Sequence, residues 1–249
     1  MKLEEFFIEH PRVAIAFSGG VDSAYLLYAA KKFATEVHAY YVKSAFQPRF
    51  EQEDALRLAG EFSVEMSVIR VDALADENVR ANPPNRCYYC KRRIFNAIRE
   101  QALRDGFEVL LDGTNASDEV SDRPGMVALQ ELDVLSPLRL CGLTKQEIRR
   151  LSREAGLFTW NKPAYACLAT RIPFGQPLEE RLLERTERAE GFLFSLGFRD
   201  FRVRTQGEGA KIQLPASQLP LLMQHREEIV RKLKKAYSSV LLDLETRNE

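Results

Sequence analysis

The 249-residue sequence has three histidines, no net charge and no long apolar run. Because 36 basic residues balance 36 acidic ones, the chain lacks the broad positive charge of a nucleic-acid-binding protein, and we expect no nucleic-acid partner. The acidic start, Met1–Glu5, has no signal-peptide core, and no apolar stretch reaches membrane-spanning length. These absences predict a cytoplasmic protein without a membrane partner. The histidines also lack neighbours at metal-ligand spacing.

Cysteine is scarce as well, with four in the chain. In a reducing compartment such thiols are more often metal ligands or catalysts than disulfides. Cys87 and Cys90 form a C-x-x-C pair beside Arg86, Lys91 and Arg92. Neighbouring cations favour the thiolate, which is both a nucleophile and a metal ligand. The pair fits a redox disulfide, half of a zinc site or two ligands of an iron–sulfur cluster.

The other two cysteines differ in their surroundings. Cys167 lies in the proline-rich loop 161–177, whereas Cys141 has an apolar context that predicts a packing role. Three candidate ligands therefore remain: Cys87, Cys90 and Cys167. A closed zinc site needs four protein ligands, whereas three thiolates on a four-iron cluster leave one iron open to a ligand such as sulfide. A zinc site that includes Cys141 stays an alternative.

The most informative segment is SGGVDS at residues 18–23, between an apolar run and a helical pattern. A strand that turns through two glycines into a helix lets backbone N–H groups approach a polyanion, and Asp22 suits an accompanying Mg²⁺. The segment is neither a Walker loop nor a G-x-G-x-x-G fingerprint. It resembles the PP-loop of enzymes that cleave ATP between the α- and β-phosphates, although an ordinary capped turn is the alternative. We assign ATP and Mg²⁺ to Ser18, Gly19, Gly20, Asp22 and Ser23.

Short β-rich runs alternate with helical patterns up to Leu157, which predicts a parallel sheet with crossover helices. The predicted strands are Val13–Phe17, Val37–Val42, Glu65–Val71 and Glu108–Asp112, and the predicted helices are Ser23–Phe33, Arg49–Phe62, Arg92–Asp105 and Thr144–Ala155. The pattern of the C-terminal part of the chain predicts a helix at Leu178–Leu196, a hairpin of Phe198–Thr205 and Ala210–Leu214, a helix at Leu219–Ala236 and a strand at Val240–Leu244. We therefore expect an α/β, parallel-sheet PP-loop domain (adenine nucleotide alpha hydrolase-like) at residues 1–172 and a small α+β domain at residues 173–249.

Further polar residues are predicted at the carboxyl ends of the sheet strands, where α/β proteins bind ligands. Ser44 follows the second strand, and Gly113 follows the fourth. Arg123, in the segment SDRPG, could bring a guanidinium to the phosphates. We add these three residues to the nucleotide site.

The hairpin of the second domain has a basic face. Arg202 and Arg204 share that face because side chains along a strand alternate with a period of two, and Lys211 on the return strand could join them. Two adjacent guanidinium groups suit a phosphate or carboxylate, and Glu190 on the preceding helix could orient one of them. A solvated face of an antiparallel sheet is the alternative interpretation.

Together the motifs resemble the LarE family of ATP-dependent sulfur transferases, which mature the nickel-pincer cofactor of lactate racemase. The resemblance extends from about Ala14 to Leu244 and rests on SGGVDS, DGTN at 112–115, RPG at 123–125, RCYYCK at 86–91, the Cys167 loop at 163–171 and the arginine pair of the hairpin. It implies that ATP adenylates a carboxylate of pyridinium-3,5-biscarboxylic acid mononucleotide and that sulfur then replaces AMP, giving a thiocarboxylate. It also implies a homo-oligomer, with a sulfur donor that the sequence does not name.

The same resemblance assigns roles to residues. It places Arg202, Arg204, Glu190 and Arg171 near the substrate, and Cys167, Cys87, Cys90 and Asp22 in catalysis. In some members the cysteine at position 167 gives up its own sulfur, whereas in others three cysteines hold a [4Fe-4S] cluster. Because Cys87 and Cys90 are present, we expect the cluster. Gln213 stands where the family has glutamate, and the ending at 244–247 also departs from the family pattern.

Other functions remain open at this point. In one alternative, Cys167 gives up its own sulfur and the same reaction needs no cluster. In another, the chain is a PP-loop tRNA thiolase, which couples adenylation to the transfer of sulfur onto RNA. The zero net charge is unfavourable for RNA binding. An amide-forming PP-loop ligase would leave three cysteines near cationic residues unexplained. A non-catalytic nucleotide sensor is the last alternative, and an assay of pyrophosphate release with candidate carboxylates would separate it from the enzymes.

Overall fold

A computed structural model describes residues 1–118 and 124–247. The eleven helices of these residues are α1 Leu3–Glu9, α2 Val21–Phe33, α3 Arg49–Glu61, α4 Glu77–Arg80, α5 Arg86–Arg104, α6 Pro124–Glu131, α7 Pro137–Leu140, α8 Lys145–Glu154, α9 Glu180–Ser195, α10 Leu219–Gln224 and α11 Arg226–Leu233. The seven strands are β1 Arg12–Ala16, β2 Glu36–Lys43, β3 Met66–Arg70, β4 Leu110–Leu111, β5 Arg202–Gln206, β6 Gly209–Gln213 and β7 Val240–Leu242. The chain divides into two compact units: Met1–Ala73 with Asn85–Lys162, and Leu74–Pro84 with Pro163–Glu249.

The first unit contains a parallel four-stranded sheet in the order β3-β2-β1-β4. This confirms the α/β class that the alternating pattern predicted. In the register, Ala14 of β1 lies opposite His38 on one side and Leu110 on the other. Because the strands are parallel, their carboxyl ends share one edge, and the segments after β1, β2 and β4 all begin there.

Burial of apolar side chains accounts for the helices around this sheet. Val13, Ala14 and Ile15 of β1 are fully buried, as their unbroken apolar run predicts for a central parallel strand. The short helix α1 was not predicted, yet it buries Phe6 and Phe7 in the same core. Each buried phenylalanine contributes on the order of 1.5–3 kcal/mol, which fixes this otherwise marginal helix.

Two helix starts bear on the site. Before α8, Thr144 Oγ1 accepts from Glu147 N, and Glu147 Oε2 accepts from Thr144 N, so the predicted capping box is confirmed. Helix α5 begins at Arg86, six residues before the predicted start at Arg92. The earlier start places both cysteines of the C-x-x-C pair in the first two turns of this helix.

The second unit contains a three-stranded sheet in the order β5-β6-β7. Strands β5 and β6 form the predicted antiparallel hairpin, with Arg202 opposite Gln213, and β7 pairs with β6 in parallel. Helix α9 packs on this sheet through Ala189 and Leu193. The single helix predicted at Leu219–Ala236 is instead two helices, α10 and α11, which meet at His225.

The second unit also includes a segment from the middle of the chain. Leu178 N donates to Arg80 O at 2.8 Å, and Gly175 N donates to Asn82 O at 2.9 Å, so residues 74–84 pair with the chain that follows residue 162. The assignment of adenylation to residues 1–172 and of substrate binding to residues 173–249 stays a prediction.

No helix in the described ranges is long and apolar enough to cross a membrane.

Candidate active site

The SGGVDS segment forms a tight turn between β1 and α2. Gly19 has φ of +71°, and a Cβ there would lie 3.2 Å from Cβ of Ala55, so both conformation and space favour glycine. Ser18 Oγ lies 3.0 Å from Ser23 Oγ, and Ser23 Oγ donates to Gly20 O at 3.2 Å. The N-cap residue of α2 is Gly20, which has no side chain to accept from the first N–H groups of the helix. The first-turn N–H groups of this helix therefore suit an anionic ligand, as the PP-loop interpretation requires.

The segment after β4 packs directly against this turn. A Cβ on Gly113 would lie 3.0 Å from Ser23 N and 3.2 Å from Ser23 Cα. The preceding Asp112 is fixed by hydroxyl groups, because its carboxylate accepts from Thr114 Oγ1 at 2.5 Å and from Ser136 Oγ at 2.6 Å. The structure thus brings Gly113 together with the PP-loop, at the edge of the sheet where the sequence predicted them.

Gly113→Ala tests this close approach. The new methyl group must displace Ser23 or its own backbone, so we expect a loss of about 1–3 kcal/mol in the free energy of unfolding, as for other overpacked sites. We also expect ATP to bind roughly tenfold more weakly, a change of ~1.4 kcal/mol measurable by calorimetry.

Gly60→Ala is the matched control for this substitution. A Cβ on Gly60, in α3, would have nothing within 4 Å, so alanine there is expected to be neutral or stabilising by up to about 1 kcal/mol. Equal ATP affinity and equal stability in the two variants would contradict the packing of Gly113 against the loop.

The carboxylate of the loop faces a cation. Asp22 Oδ2 accepts from Lys145 Nζ, and Asp22 Oδ1 lies 3.5 Å from Asn115 Nδ2. Burial raises the pKa of Asp22, and the hydrogen bond and positive charge of Lys145 act against that rise. A partly buried carboxylate that already attracts a cation fits a Mg²⁺ ligand. Lys145 was not among the predicted site residues, and its position directly after the capping threonine was the only local signal.

A second lysine that the sequence analysis missed lies at the same loop. Lys162 Nζ donates to Gly19 O at 3.2 Å and forms an ion pair with Asp54 at 2.6 Å. The SGGVDS turn therefore contacts one ammonium group near each end, that of Lys162 at Gly19 and that of Lys145 at Asp22. Positive charge at this position is favourable for bound phosphates.

A cavity of about 140 Å³ opens beside Ser18. Its walls come from β1, β2, α5 and the start of α3 with the loop before it. The lining residues are Ala16, Phe17, Ser18, Tyr40, Tyr41, Val42, Gln47, Glu51, Ile94, Phe95 and Ile98. Largely apolar walls with a few polar groups suit a flat heterocycle. Ser44 acts indirectly here, because its N and Oγ donate to Gln47 Oε1 at 2.9 and 2.7 Å and so orient Gln47 in the lining. The predicted Arg123 lies outside the described residues.

The cysteines of the first unit fall into two groups. Cys87 is exposed and Cys90 is half-buried, one turn apart on α5, with Arg86 Nη2 at 4.0 Å from Cys87 Sγ. Cys141 packs against the core, and burial raises its pKa, which agrees with the expected packing role. Across residues 1–118 and 124–247, the structure contains no group of three or more His, Cys, Asp or Glu side chains placed to hold a metal ion.

A buried ion pair lies at the centre of the second unit. Arg171 Nε donates to Glu190 Oε1 at 2.7 Å and Nη2 donates to Oε2 at 3.2 Å, with both side chains 1% exposed. Glu190 also accepts from Tyr165 Oη and from Val203 N. Burial opposes the charge of Arg171, but its contacts with Glu190 raise its pKa overall. The carboxylate of Glu190 is therefore occupied by protein donors.

Three arginines hold the loop that carries Cys167. Arg171 Nη1 donates to Ala166 O at 3.0 Å, Arg202 Nη2 donates to Ala164 O, and Arg204 Nη1 donates to Thr170 O at 2.8 Å. The carbonyl of Cys167 in turn accepts from Thr170 N at 3.0 Å and from Thr170 Oγ1 at 2.8 Å. Backbone carbonyls on both sides of Cys167 are thus held by guanidinium donors.

These arginines repel one another. Burial lowers the pKa of Arg202 to about 10, and the charges of Arg171 and Arg247 act in the same direction. Arg204 has a lowered pKa for the same reasons. The groups stay charged near neutral pH, so an anion bound among them would relieve their repulsion. The binding of an anion by Arg202 and Arg204 stays a prediction.

Gln213 connects the arginine pair to the neighbouring strand. Its Oε1 accepts from Arg204 Nε at 2.5 Å, and its Nε2 donates to Asp243 Oδ2 at 2.6 Å. Asp243 also forms an ion pair with Lys211 at 2.8 Å. Because Gln213 is neutral, this chain of contacts holds Arg204 in place without cancelling its charge.

Comparisons with known proteins agree with this geometry, although no family model matches the chain. The chain is 32% identical to the pyridinium-3,5-bisthiocarboxylic acid mononucleotide synthase of Lactiplantibacillus plantarum, over 94% of its own length and 86% of that protein. It is 35% identical to an uncharacterized protein of Synechocystis sp., over 98% of this chain and 92% of that protein. The tRNA-specific 2-thiouridylase MnmA of Thermotoga sp. (strain RQ2) matches 61% of the chain and 54% of that enzyme at 28% identity. The chain therefore belongs to the LarE family of PP-loop ATP-dependent sulfur transferases.

Proposed function

We propose that this enzyme adenylates a carboxylate of pyridinium-3,5-biscarboxylic acid mononucleotide and converts it to a thiocarboxylate, for the nickel-pincer cofactor of lactate racemase. The observation that carries the proposal is the identity of 32% with the named synthase over 94% of the chain. A tRNA thiolase is the second candidate, because MnmA matches 61% of the chain. The zero net charge makes RNA the less favoured substrate.

The first step takes place at the PP-loop. A carboxylate oxygen attacks the α-phosphorus of ATP, the bond to the β-phosphate bridge breaks, and pyrophosphate leaves. N–H groups at the start of α2 and the hydroxyls of Ser18 and Ser23 bind the departing phosphates, with Lys145 and Lys162 adding positive charge. Asp22 would hold Mg²⁺, which reduces the negative charge that the attacking carboxylate meets.

The second step replaces AMP by sulfur. Sulfur attacks the acyl carbon of the adenylate, the acyl–oxygen bond breaks, and AMP leaves with one oxygen of the original carboxylate. Cys167 supplies or carries this sulfur, and Arg202 and Arg204 bind the phosphate of the substrate. Arg171 and Glu190 act through the backbone of the Cys167 loop and are positioning residues.

The sulfur source that we propose is a [4Fe-4S] cluster on Cys87, Cys90 and Cys167. One feature of the residues fits this group: the thiols of Cys87 and Cys90 lie one helical turn apart on α5, and Cys87 is exposed. Such a cluster, when bound by three thiolates, supplies an iron that can carry a sulfide. The alternative within the same reaction is a sacrificial Cys167 that loses its own sulfur.

Metal analysis of protein purified without oxygen tests the cluster. We expect about four irons and four labile sulfides per chain, the composition of one cubane cluster. Cys87→Ala, Cys90→Ala and Cys167→Ala should each lose this iron, whereas the control Cys141→Ala should retain it. Stoichiometric zinc would contradict the cluster and indicate a structural zinc site instead. No metal after reconstitution would also contradict the cluster and leave Cys167 as a single-use donor.

Pyrophosphate release tests the substrate itself. We expect ATP cleavage to depend on the pyridinium biscarboxylate mononucleotide and to be insensitive to unmodified tRNA. Release that depends on tRNA would replace the proposed substrate by the second candidate. A cytoplasmic location and a homo-oligomer belong to the same proposal, and the physiological sulfur donor is left open by it.

A further inference from the structure

The helical side of the second unit has a cavity that the proposed reaction does not use. It encloses about 420 Å³ between α9 and the end of α11 with the turn that follows. Its charged lining residues are Arg181, Arg185, Arg188, Lys232 and Lys235, with Glu184 as the one carboxylate among the described lining residues. We propose that this basic groove binds a small ligand with two or more phosphate groups, independently of the PP-loop.

Arg185 is the central residue of the basic groove. Its side chain is 14% exposed, and its guanidinium carbon lies 4.3 Å from the ring centre of Tyr237. Among residues 1–118 and 124–247, Nε and Nη2 have no hydrogen-bond partner although they are buried, and the contacts of Nη1 are long, at 3.3 Å to Ala236 O and 3.4 Å to Glu208. A buried charged donor without a partner is costly, so an anion that draws this guanidinium toward itself recovers that cost.

The charge of the basic groove is only partly compensated. Glu184 pairs with Arg188 at 2.9 Å, and Arg181 pairs with Glu179 outside the groove at 2.6 Å. In the described part of the chain, Lys232 and Lys235 have no ion pair. An excess of positive charge around one enclosed space, in a chain of zero net charge, points to an anionic ligand.

The spacing of the cations favours a polyphosphate over a single phosphate. Arg181, Arg185 and Arg188 follow one face of α9, and a rise of ~1.5 Å per residue separates the first from the last by roughly 10 Å. One phosphate cannot contact groups so far apart, whereas a chain of phosphates can. Guanidinium forks also match phosphate oxygens in pairs. A groove of about 420 Å³ suits a small ligand better than an extended nucleic acid.

The test uses inorganic tripolyphosphate and the full-length protein. Hydrogen–deuterium exchange distinguishes the two sites, because peptides covering 181–189 and 232–237 report on the groove and those covering 17–24 report on the PP-loop. We expect slower exchange in the groove peptides. Calorimetry on Arg185→Gln should show a loss of about 10- to 100-fold in affinity, the range for hydrogen bonds to charged groups.

Surface variants keep the test valid if Arg185→Gln fails to fold. Lys232→Gln and Lys235→Gln should each weaken binding about 3- to 10-fold, as expected for loss of one partly screened contact. Arg231→Gln removes the same charge from the neighbouring position of α11, outside the groove, and should change affinity less than about twofold.

Three results would overturn the proposal. One is slower hydrogen–deuterium exchange confined to residues 17–24, which would mean that tripolyphosphate binds only at the PP-loop. Equal losses of affinity in Lys232→Gln and Arg231→Gln would likewise mean that binding depends on general surface charge. The last is binding of a single-stranded RNA that depends on these lysines while tripolyphosphate does not bind. None of these results affects the proposed adenylation, which is measured separately by pyrophosphate release.

Discussion

Cys167→Ala is expected to abolish thiocarboxylate formation while pyrophosphate release continues. In the proposed reaction the thiol acts in the second step, as a cluster ligand or as the sulfur itself. We expect the yield of thiocarboxylate to fall by about a thousandfold or more, the usual effect of removing a nucleophile. Mass spectrometry of the product and a pyrophosphate assay measure the two steps separately.

Cys141→Ala is the control for this substitution, since Cys141 is a partly buried thiol that packs against the core. It should retain both steps. Cys87→Ala distinguishes the two sulfur sources: it should stop turnover with the cluster but spare a single turnover with a sacrificial Cys167. In that second case the protein would lose the mass of one hydrogen sulfide. Thiocarboxylate formation by Cys167→Ala at the parental rate would contradict both versions.

The largest expected loss of stability comes from the buried ion pair. Glu190→Met removes the carboxylate that accepts from Arg171, Tyr165 and Val203 N, and leaves Arg171 charged and 1% exposed. Removal of one partner of a buried pair costs about 3–5 kcal/mol. We expect a fall of this size in the free energy of unfolding, measured with urea, together with slower sulfur transfer because Arg171 also holds Ala166 O.

Glu184→Gln on the same helix is the matched control. Glu184 pairs with Arg188 at 2.9 Å, but the two side chains are 53% and 80% exposed, so its loss should cost less than about 0.5 kcal/mol. The double variant with Arg171→Met and Glu190→Met should be more stable than Glu190→Met alone, because no unpaired charge remains buried. Equal stability of Glu190→Met and Glu184→Gln would contradict the account of the pair.

The sequence predicted the nucleotide side of the site because that side follows from local rules. Glycines at a strand-to-helix turn, and strands whose carboxyl ends meet at one edge, are visible in the order of residues, so SGGVDS and Gly113 were found together. Lys145 and Lys162 were missed because they reach Asp22 and Gly19 from 123 and 143 residues away, and no local pattern encodes such contacts. The early start of α5 was missed because the prolines before it obscured the helical pattern.

The sulfur side was predicted less completely. A period of two placed Arg202 and Arg204 on one face of β5, but it could not indicate that both donate to backbone carbonyls of the Cys167 loop. Glu190 was expected to orient Arg202 or Arg204, whereas its carboxylate pairs with Arg171, and the helical pattern did not indicate that this pair is buried. The number of cysteines indicated three candidate ligands, but the spatial arrangement of thiols from separate segments is a tertiary property.

The most direct test of adenylation is the fate of one carboxylate oxygen. With ¹⁸O in the carboxylates of pyridinium-3,5-biscarboxylic acid mononucleotide, attack on the α-phosphorus and later displacement by sulfur must leave one ¹⁸O atom in AMP. Mass spectrometry of AMP after one turnover should therefore show a gain of one label, together with one unlabelled pyrophosphate. Label in inorganic phosphate with release of ADP, or AMP without label, would contradict the proposed reaction.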